Sequence, residues 1–287
     1  PDTARVVVGE YPVTDCRQMV GGMGAGYALA FNGTLRFPLG GRPFIPDETG
    51  AAILRELSKV DIKSIPSYIT GCSSDSTLLL TSDYGDKLAV GVREALVRWH
   101  CEDADRDLVA RADALVFCGA PNSLMADVLA WAPDVPVMCA PAMRNVCDEF
   151  YPLAELASYI DYLTMNSLEW QHLVGREKVR REVPVVTVTD GPRGSRIYFD
   201  DGELAVPTKP RTDPVNTNRA GETYGSTFFK VLLHCDPEFH LSRSVDVDLA
   251  LHAGQIASAQ ANRQLDITDF AFPPDDWDES TASQAEV

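Results

Sequence analysis

Apolar residues fall along this chain in short continuous runs, and the stretches between the runs carry apolar positions at helical spacing. Val6-Val7-Val8 before Gly9, Ala114-Leu-Val-Phe-Cys118, Val135-Pro-Val-Met-Cys139, Tyr162-Leu-Thr-Met165 and Val183-Pro-Val-Val-Thr-Val-Thr189 are such runs. Strands buried on both faces of a parallel sheet read this way. Helical stretches are predicted from Asp47 to Leu57 with an acidic first turn, from Glu102 to Ala112, from Ser123 to Ala130, near Leu153 to Tyr159, from Phe228 to Leu233, and from Leu249 to Gln264. Regular alternation of the two kinds predicts a three-layer αβα fold around a central, mostly parallel sheet. Two places depart from it. Ser76 to Val92 reads as a hairpin about Asp83-Tyr-Gly-Asp86, projecting as a small, reduced β lid, and Arg196-Ile-Tyr-Phe199 turns back at Asp200-Asp-Gly202.

With 287 residues, 45% of them apolar, the chain fits one large α/β domain over residues 1–272, with lid elements around 10–20 and 76–93. Residues 273–287, acidic and small, read as a mobile tail. The formal net charge of −17 opposes binding to nucleic acid or an anionic membrane, so a polyanionic ligand must be met by local donors. No apolar run approaches the ~20 residues of a membrane span and no basic, apolar leader opens the sequence, which makes the cytoplasm the expected location. The seven cysteines are scattered, with no C-x-x-C pair. Cys118 and Cys139 end apolar runs, where reduced cysteine behaves as a small core hydrophobe.

Candidate chemistry concentrates in Asn216-Thr217-Asn218-Arg219-Ala220-Gly221-Glu222, which opens a predicted helix with an acid in its first turn. Unpartnered N–H groups there, with the helix dipole, hold an anion, and a carboxylate beside that anion is suited to take a proton from an attacking hydroxyl. The structural alternative is an acid favoured by the dipole alone. Asn166-Ser167-Leu168-Glu169 follows a strand directly; its structural alternative is a capping box. Thr189, Gly191 and Gly194 follow the strongest strand, and Gly21-Gly22-Met23-Gly24-Ala25-Gly26 precedes a short helix at Tyr27 to Phe31. Both also read as ordinary turns or as close packing.

These four pieces, in this order, resemble the motifs of the ribokinase, or PfkB, family of carbohydrate kinases, and the resemblance extends over nearly the whole chain. It implies ATP-dependent phosphorylation of a hydroxyl on a small sugar or nucleoside-like substrate at the carboxyl ends of the strands. By resemblance, Glu222 takes the place of the catalytic base, and Arg219, Ala220 and Gly221 form the anion hole. Asn166 and Glu169 organise Mg2+, mainly through water. Thr189, Gly191, Gly194 and His252 line the nucleotide, while Thr14, Asp15, Gly21, Gly22, Gly24 and Asp47 belong to the acceptor side. The resemblance leaves the oligomeric state open between monomer and homodimer, since relatives often dimerise through the lid and this lid looks reduced.

Departures from the family pattern are specific. Glu222 stands for the usual aspartate, and a displacement of ~1.5 Å in a reacting group can cost ~10²-fold in rate. Arg219 stands for the first glycine of the anion-hole motif, giving up backbone freedom while offering a guanidinium to phosphate. Asn216 stands for an aspartate, Gly26 for an asparagine, and Ala140-Pro-Ala-Met-Arg144 for an Asp-Pro-x-x-Arg run. Thr14 occupies the register expected of a sugar-binding aspartate, with Asp15 one residue away. Three readings follow: an active kinase, a catalytically weak homologue that binds nucleotide or sugar, and a nicotinamide oxidoreductase using the glycine cluster. The last requires an acidic residue after a second strand, and no convincing one is present.

Overall fold

The structure, a computed structural model, describes residues 21–31, 39–44, 46–58, 64–81, 87–92, 94–99, 103–132, 134–199, 202–209, 217–267 and 272–273. The run Val6–Val8, the lid segment 10–20 with Thr14 and Asp15, Asn216 and all of the tail except Pro273 lie outside the described residues.

The chain begins, as described, with α1 (Met23–Phe31), β1 (Leu39–Phe44), α2 (Glu48–Ser58), β2 (Ser64–Tyr68), β3 (Ser76–Thr81), β4 (Lys87–Val92), α3 (Glu94–Arg98) and α4 (Asp103–Val109). The alternating part follows: β5 (Leu115–Cys118), α5 (Asn122–Leu129), β6 (Val137–Ala140), α6 (Met143–Val146), β7 (Tyr162–Asn166), α7 (Ser167–His172), α8 (Arg176–Glu182), β8 (Val185–Thr189), β9 (Ser195–Phe199) and β10 (Gly202–Val206). Three helices close it: α9 (Ala220–Cys235), α10 (Phe239–Ser242) and α11 (Val247–Gln264). One sheet carries six strands in the order β10-β9-β8-β7-β6-β5; β5 to β8 are parallel, and β9 and β10 are antiparallel.

Strand alternation divides the core between the two faces of this sheet. Tyr162 and Val185 point to the side covered by α1, α9 and α11, whereas Leu163, Met165, Val186 and Val188 point to the side covered by α5 and α8. Tyr162 stacks on Phe228 with centroids 4.9 Å apart, and its hydroxyl shares a 2.9 Å hydrogen bond with Thr187 Oγ1. The aromatic body is buried while its polar tip is satisfied, as a buried tyrosine requires. At the amino ends of the strands, Asp161 accepts from Val137 N at 2.8 Å and from Arg243 Nη1 at 3.0 Å. Burial nevertheless pushes the Asp161 carboxyl up to about 6, outweighing those bonds.

The predicted hairpin is present: β3 and β4 pair antiparallel, with Leu78 opposite Val90 and both more than half exposed. Four features differ from the sequence reading. Strands β1 and β2, which pair in parallel, were not expected because Pro43 and Pro66 interrupt short, glycine- or serine-bearing segments; proline is tolerated where a ladder has only one neighbour. Helix α8 has a single buried residue, Val179, among charged neighbours, so it carries no apolar stripe. Leu153–Tyr159 winds as a 3-10 helix, the tighter form common in short connectors. Finally, α1 starts at Met23, so Gly24 and Gly26 are helical rather than part of a preceding turn. No helix among the described residues is long and apolar enough to cross a membrane.

Candidate active site

The sheet's parallel strands end at Cys118, Ala140, Asn166 and Thr189, and the motif residues gather around that edge. Helix α9 opens there. Its cap, Arg219, has φ 67° and ψ −1°, left-handed geometry that costs a non-glycine residue ~1–2 kcal/mol. The Arg219 carbonyl accepts from Thr223 N at 2.8 Å and from Thr223 Oγ1 at 2.9 Å, which closes the first turn. The N–H groups of Ala220, Gly221 and Glu222 precede the first intrahelical bond and have no acceptor within the helix. Gly221 is exposed, with nothing within 4 Å of where a Cβ would stand, so an anion can reach those donors.

Glu222 reaches from this turn towards α1. Its Cγ and Oε1 lie 3.2 Å from the Cβ position of Gly26, and Arg219 Nη1 lies 2.5 Å from the same point. Glycine at 26 therefore makes room for both side chains. The Arg219 guanidinium also sits over the Phe272 ring, 5.8 Å from its centroid. Burial lowers its proton affinity, and the Glu222 charge opposes that effect. The same carboxylate is felt by neighbours on three strands and helices. Burial drives the Tyr27 hydroxyl and the Cys118 thiol well above their ordinary ranges, and Glu222 pushes both further. Gly21, Gly22 and Gly24 border open space, Gly22 with φ 92°.

Asn166 and Glu169 form the capping box that was the structural alternative for them. Glu169 N donates to Asn166 Oδ1 at 2.8 Å and Asn166 N donates to Glu169 Oε2 at 3.0 Å. Burial raises the Glu169 carboxyl, the bonds from Asn166 pull it down, and Glu222 pushes it up again. Two carboxylates that sense each other at a strand end make a donor set suited to a hard divalent cation shared with phosphate. Among the described residues no group of three or more His, Cys, Asp or Glu side chains converges as a metal site.

Beside them, Thr189 Oγ1 donates to Met165 O at 3.4 Å, and Gly191 and Gly194 bracket a 3-10 turn with φ 54° and 88°. Gly194 packs so tightly that a Cβ would lie 2.2 Å from Val206 O, while Gly191 faces open space. Asp190 ties this turn to α7: it accepts from Ser167 Oγ at 2.7 Å and from Arg193 Nε at 2.6 Å, and the Arg193 bonds hold its carboxyl below the usual range. Two further expected residues have other settings. His252 stands about 18 Å along α11 from Gln264, which meets Thr223. Asp47 caps α2 through Gly50 N at 2.7 Å and accepts from Ser74 N and Oγ at 2.9 and 2.7 Å, so its oxygens are engaged by the protein.

The seating of Arg144 and a buried pair of asparagines were not anticipated from sequence. Arg144 Nη2 donates to Gly119 O, and it lies 3.2 Å from the Gly119 Cβ position, with Met23 Sδ at 3.4 Å. The loop bearing it is fixed by two asparagines only 2% exposed. Asn145 Nδ2 donates to Ala120 O and Asn122 Oδ1, and Asn122 Nδ2 donates to Asn145 O and Tyr151 O. Their only sequence signal is an asparagine shortly after each of two apolar runs. Cys139 is fully buried and its thiol is pushed up to about 12, in keeping with a core role.

A mostly parallel sheet between helical layers, with an open helix N-terminus and its acid at the carboxyl edge, is the ribokinase-like fold. The model of the pfkB family of carbohydrate kinases matches residues 44–268, and the chain belongs to that family. Solved structures agree on the fold. Ribokinase from Giardia lamblia is 18% identical with a TM-score of 0.70, covering 92% of this chain and 89% of its own. The nucleoside kinase of Methanocaldococcus jannaschii is 15% identical at 0.70, covering 97% and 90%. Adenosine kinase from Schistosoma mansoni in complex with 2-fluoroadenosine is 14% identical at 0.69, covering 88% and 80%. Comparison with curated proteins returns no match.

Proposed function

We propose that the protein transfers the γ-phosphoryl group of ATP to a hydroxyl of a small sugar or sugar-containing compound. The observation that carries this reading is the position of Glu222: in the first turn of α9, beside open N–H donors, against Gly26 of α1, and within electrostatic range of Glu169. Glu222 accepts the proton of the acceptor hydroxyl as the new O–P bond forms and the bond from the γ-phosphorus to ADP breaks. The N–H groups of Ala220, Gly221 and Glu222 face the oxygens on which charge accumulates, and stabilise them without reorganising. Asn166 and Glu169 would hold magnesium, mainly through water, and the ion when bound supplies charge neutralisation along the phosphates. Gly191 leaves backbone open to the nucleotide, and His252 marks the far end of an extended one.

The extra methylene of Glu222 fits this role because Gly26 leaves the space into which the longer side chain reaches. A ligand-binding homologue without turnover is the second reading, favoured by the Arg219 guanidinium occupying the same space. ADP release measured with ATP, Mg2+ and a panel of sugars, polyols and nucleosides separates the two. Acceptor-dependent release that Glu222→Gln abolishes supports transfer; ligand-induced stabilisation without release supports the second.

A further inference from the structure

Two loops leave the carboxyl edge of the sheet side by side, and one side-chain hydrogen bond ties them where the strand ladder stops. Strands β7 and β8 stay in register up to Asn166 opposite Thr189. One position further on the main chains part: Ser167 opens α7, and Asp190 opens the turn that closes at Gly194. There Ser167 Oγ donates to Asp190 Oδ1 at 2.7 Å, so side chains continue a spacing that the ladder sets one residue earlier. Asp190 is fixed on its other side as well. Arg193 donates to it as a paired fork, Nε to Oδ2 at 2.6 Å and Nη2 to Oδ1 at 2.7 Å, and Asp190 N donates to Gly194 O at 2.8 Å. One carboxylate is therefore the joint between α7 and the glycine turn. Neither loop requires that joint for its own shape, because Asn166 already caps α7 and Arg193 already matches the Asp190 charge.

Resting on the kinase reading, we infer that Ser167 and Asp190 are positioning residues for the metal-bound nucleotide. Their bond sets the spacing between the Asn166 and Glu169 pair, which would hold magnesium, and the open backbone of Gly191, which would border the phosphates. Asn166 immediately precedes Ser167 and Gly191 immediately follows Asp190, so each partner of the bond is one peptide away from a group that faces the nucleotide. A ligand that spans both loops senses their separation, and a displacement of ~1 Å in such a site can cost ~10²-fold. A ligand that touches the turn alone does not sense it. The bond therefore acts on the nucleotide with its metal more than on the nucleotide without it.

The test is the affinity for ADP, measured by calorimetry with excess Mg2+ and again in EDTA, for wild type, Ser167→Ala and Ser167→Thr. The deciding quantity is the ratio of the two affinities. Ser167→Ala is expected to lose at least about fivefold in affinity with Mg2+ and less than about twofold in EDTA, because the turn keeps its Arg193 fork while the tie to α7 is gone. Ser167→Thr keeps the hydroxyl and restores the wild-type ratio. Arg193→Gln loosens the turn itself and weakens ADP in both conditions, which gives the pattern of a merely structural change for comparison. Circular dichroism confirms that the variants fold. Equal losses with and without Mg2+ in Ser167→Ala, no loss at all, failure of Ser167→Thr to restore the ratio, or no binding of ADP by the wild type would overturn the inference. The selective loss together with no phosphoryl transfer by the wild type leaves this inference standing and removes the kinase reading. Transfer by the wild type without the selective loss removes this inference alone.

Discussion

Arg219 Nη1 lies 2.5 Å from the point where a Cβ on Gly26 would stand, so the cap of α9 and the middle of α1 are fitted to each other. Two departures from the family pattern, a side chain gained at 219 and one lost at 26, are one spatial exchange. The contacting atom is the end of a flexible side chain, so Gly26→Ala displaces the guanidinium more readily than the backbone. The expected stability loss is under about 1.5 kcal/mol. Acceptor binding falls more than stability does, and in an Arg219→Gly background Gly26→Ala has little further effect. A double-mutant cycle on acceptor affinity measures that coupling.

Arg219→Gly by itself is expected to change unfolding free energy by no more than about 1 kcal/mol. Relief of left-handed strain, ~1–2 kcal/mol, is offset by the lost stacking on Phe272 and by the greater chain entropy of glycine. Urea denaturation checks this.

Gly194→Ala gives the contrasting case. The φ of 88° and the Val206 carbonyl 2.2 Å from a Cβ position combine backbone strain with a clash against main chain. A loss of at least about 2 kcal/mol is expected, with weaker nucleotide binding because the turn after β8 must move. Replacement of Gly191, whose Cβ position faces open space, disturbs folding less.

Asn145→Ala leaves the Ala120 carbonyl, the Ala142 N–H and Asn122 Oδ1 without a partner they now have. Unsatisfied buried groups cost ~1–3 kcal/mol each, so the variant is expected to lose at least that much in chemical denaturation, and the Arg144 loop to lose protection from hydrogen exchange.

Asp161 sets a pH dependence of defined sign. Its folded carboxyl titrates at about 6, above the ordinary 3.8, so the folded state binds the extra proton between those values. That contribution is complete below the unfolded pKa and is lost as pH rises through about 6, with a limiting slope near 1.4 kcal/mol per pH unit. Asp47 and Asp190, held low by Ser74 and Arg193, act in the opposite sense and only below the ordinary carboxylate range. The difference in stability between wild type and Asp161→Asn, followed from pH 4 to 7, isolates the Asp161 slope.

How much of this was legible in the sequence depended on whether the signal was local. The runs ending at Cys118, Cys139 and Thr189 announce buried parallel strands because both faces of each are covered, and Asn166 with Glu169 announces a helix start because the capping partners are three residues apart. The motif at 219–222 was equally legible, since a helix N-terminus is a local object. Strands β1 and β2 were hidden because their prolines argue against strands when no partner is visible, and α8 was hidden because it buries one residue. The fit of Arg219 over Gly26 and the approach of Arg144 to Met23 join segments far apart in the chain. Each residue looked like an isolated departure until the fold placed its partner beside it.

The most direct test of the account is ADP production from ATP and Mg2+ across a panel of sugars, nucleosides, sugar acids and sugar phosphates, comparing wild type with Glu222→Gln. The account predicts acceptor-dependent turnover by the wild-type protein that falls by at least ~10²-fold in Glu222→Gln while the nucleotide still binds. Turnover unchanged by Glu222→Gln, or no acceptor-dependent turnover by the wild type across the whole panel, would contradict it.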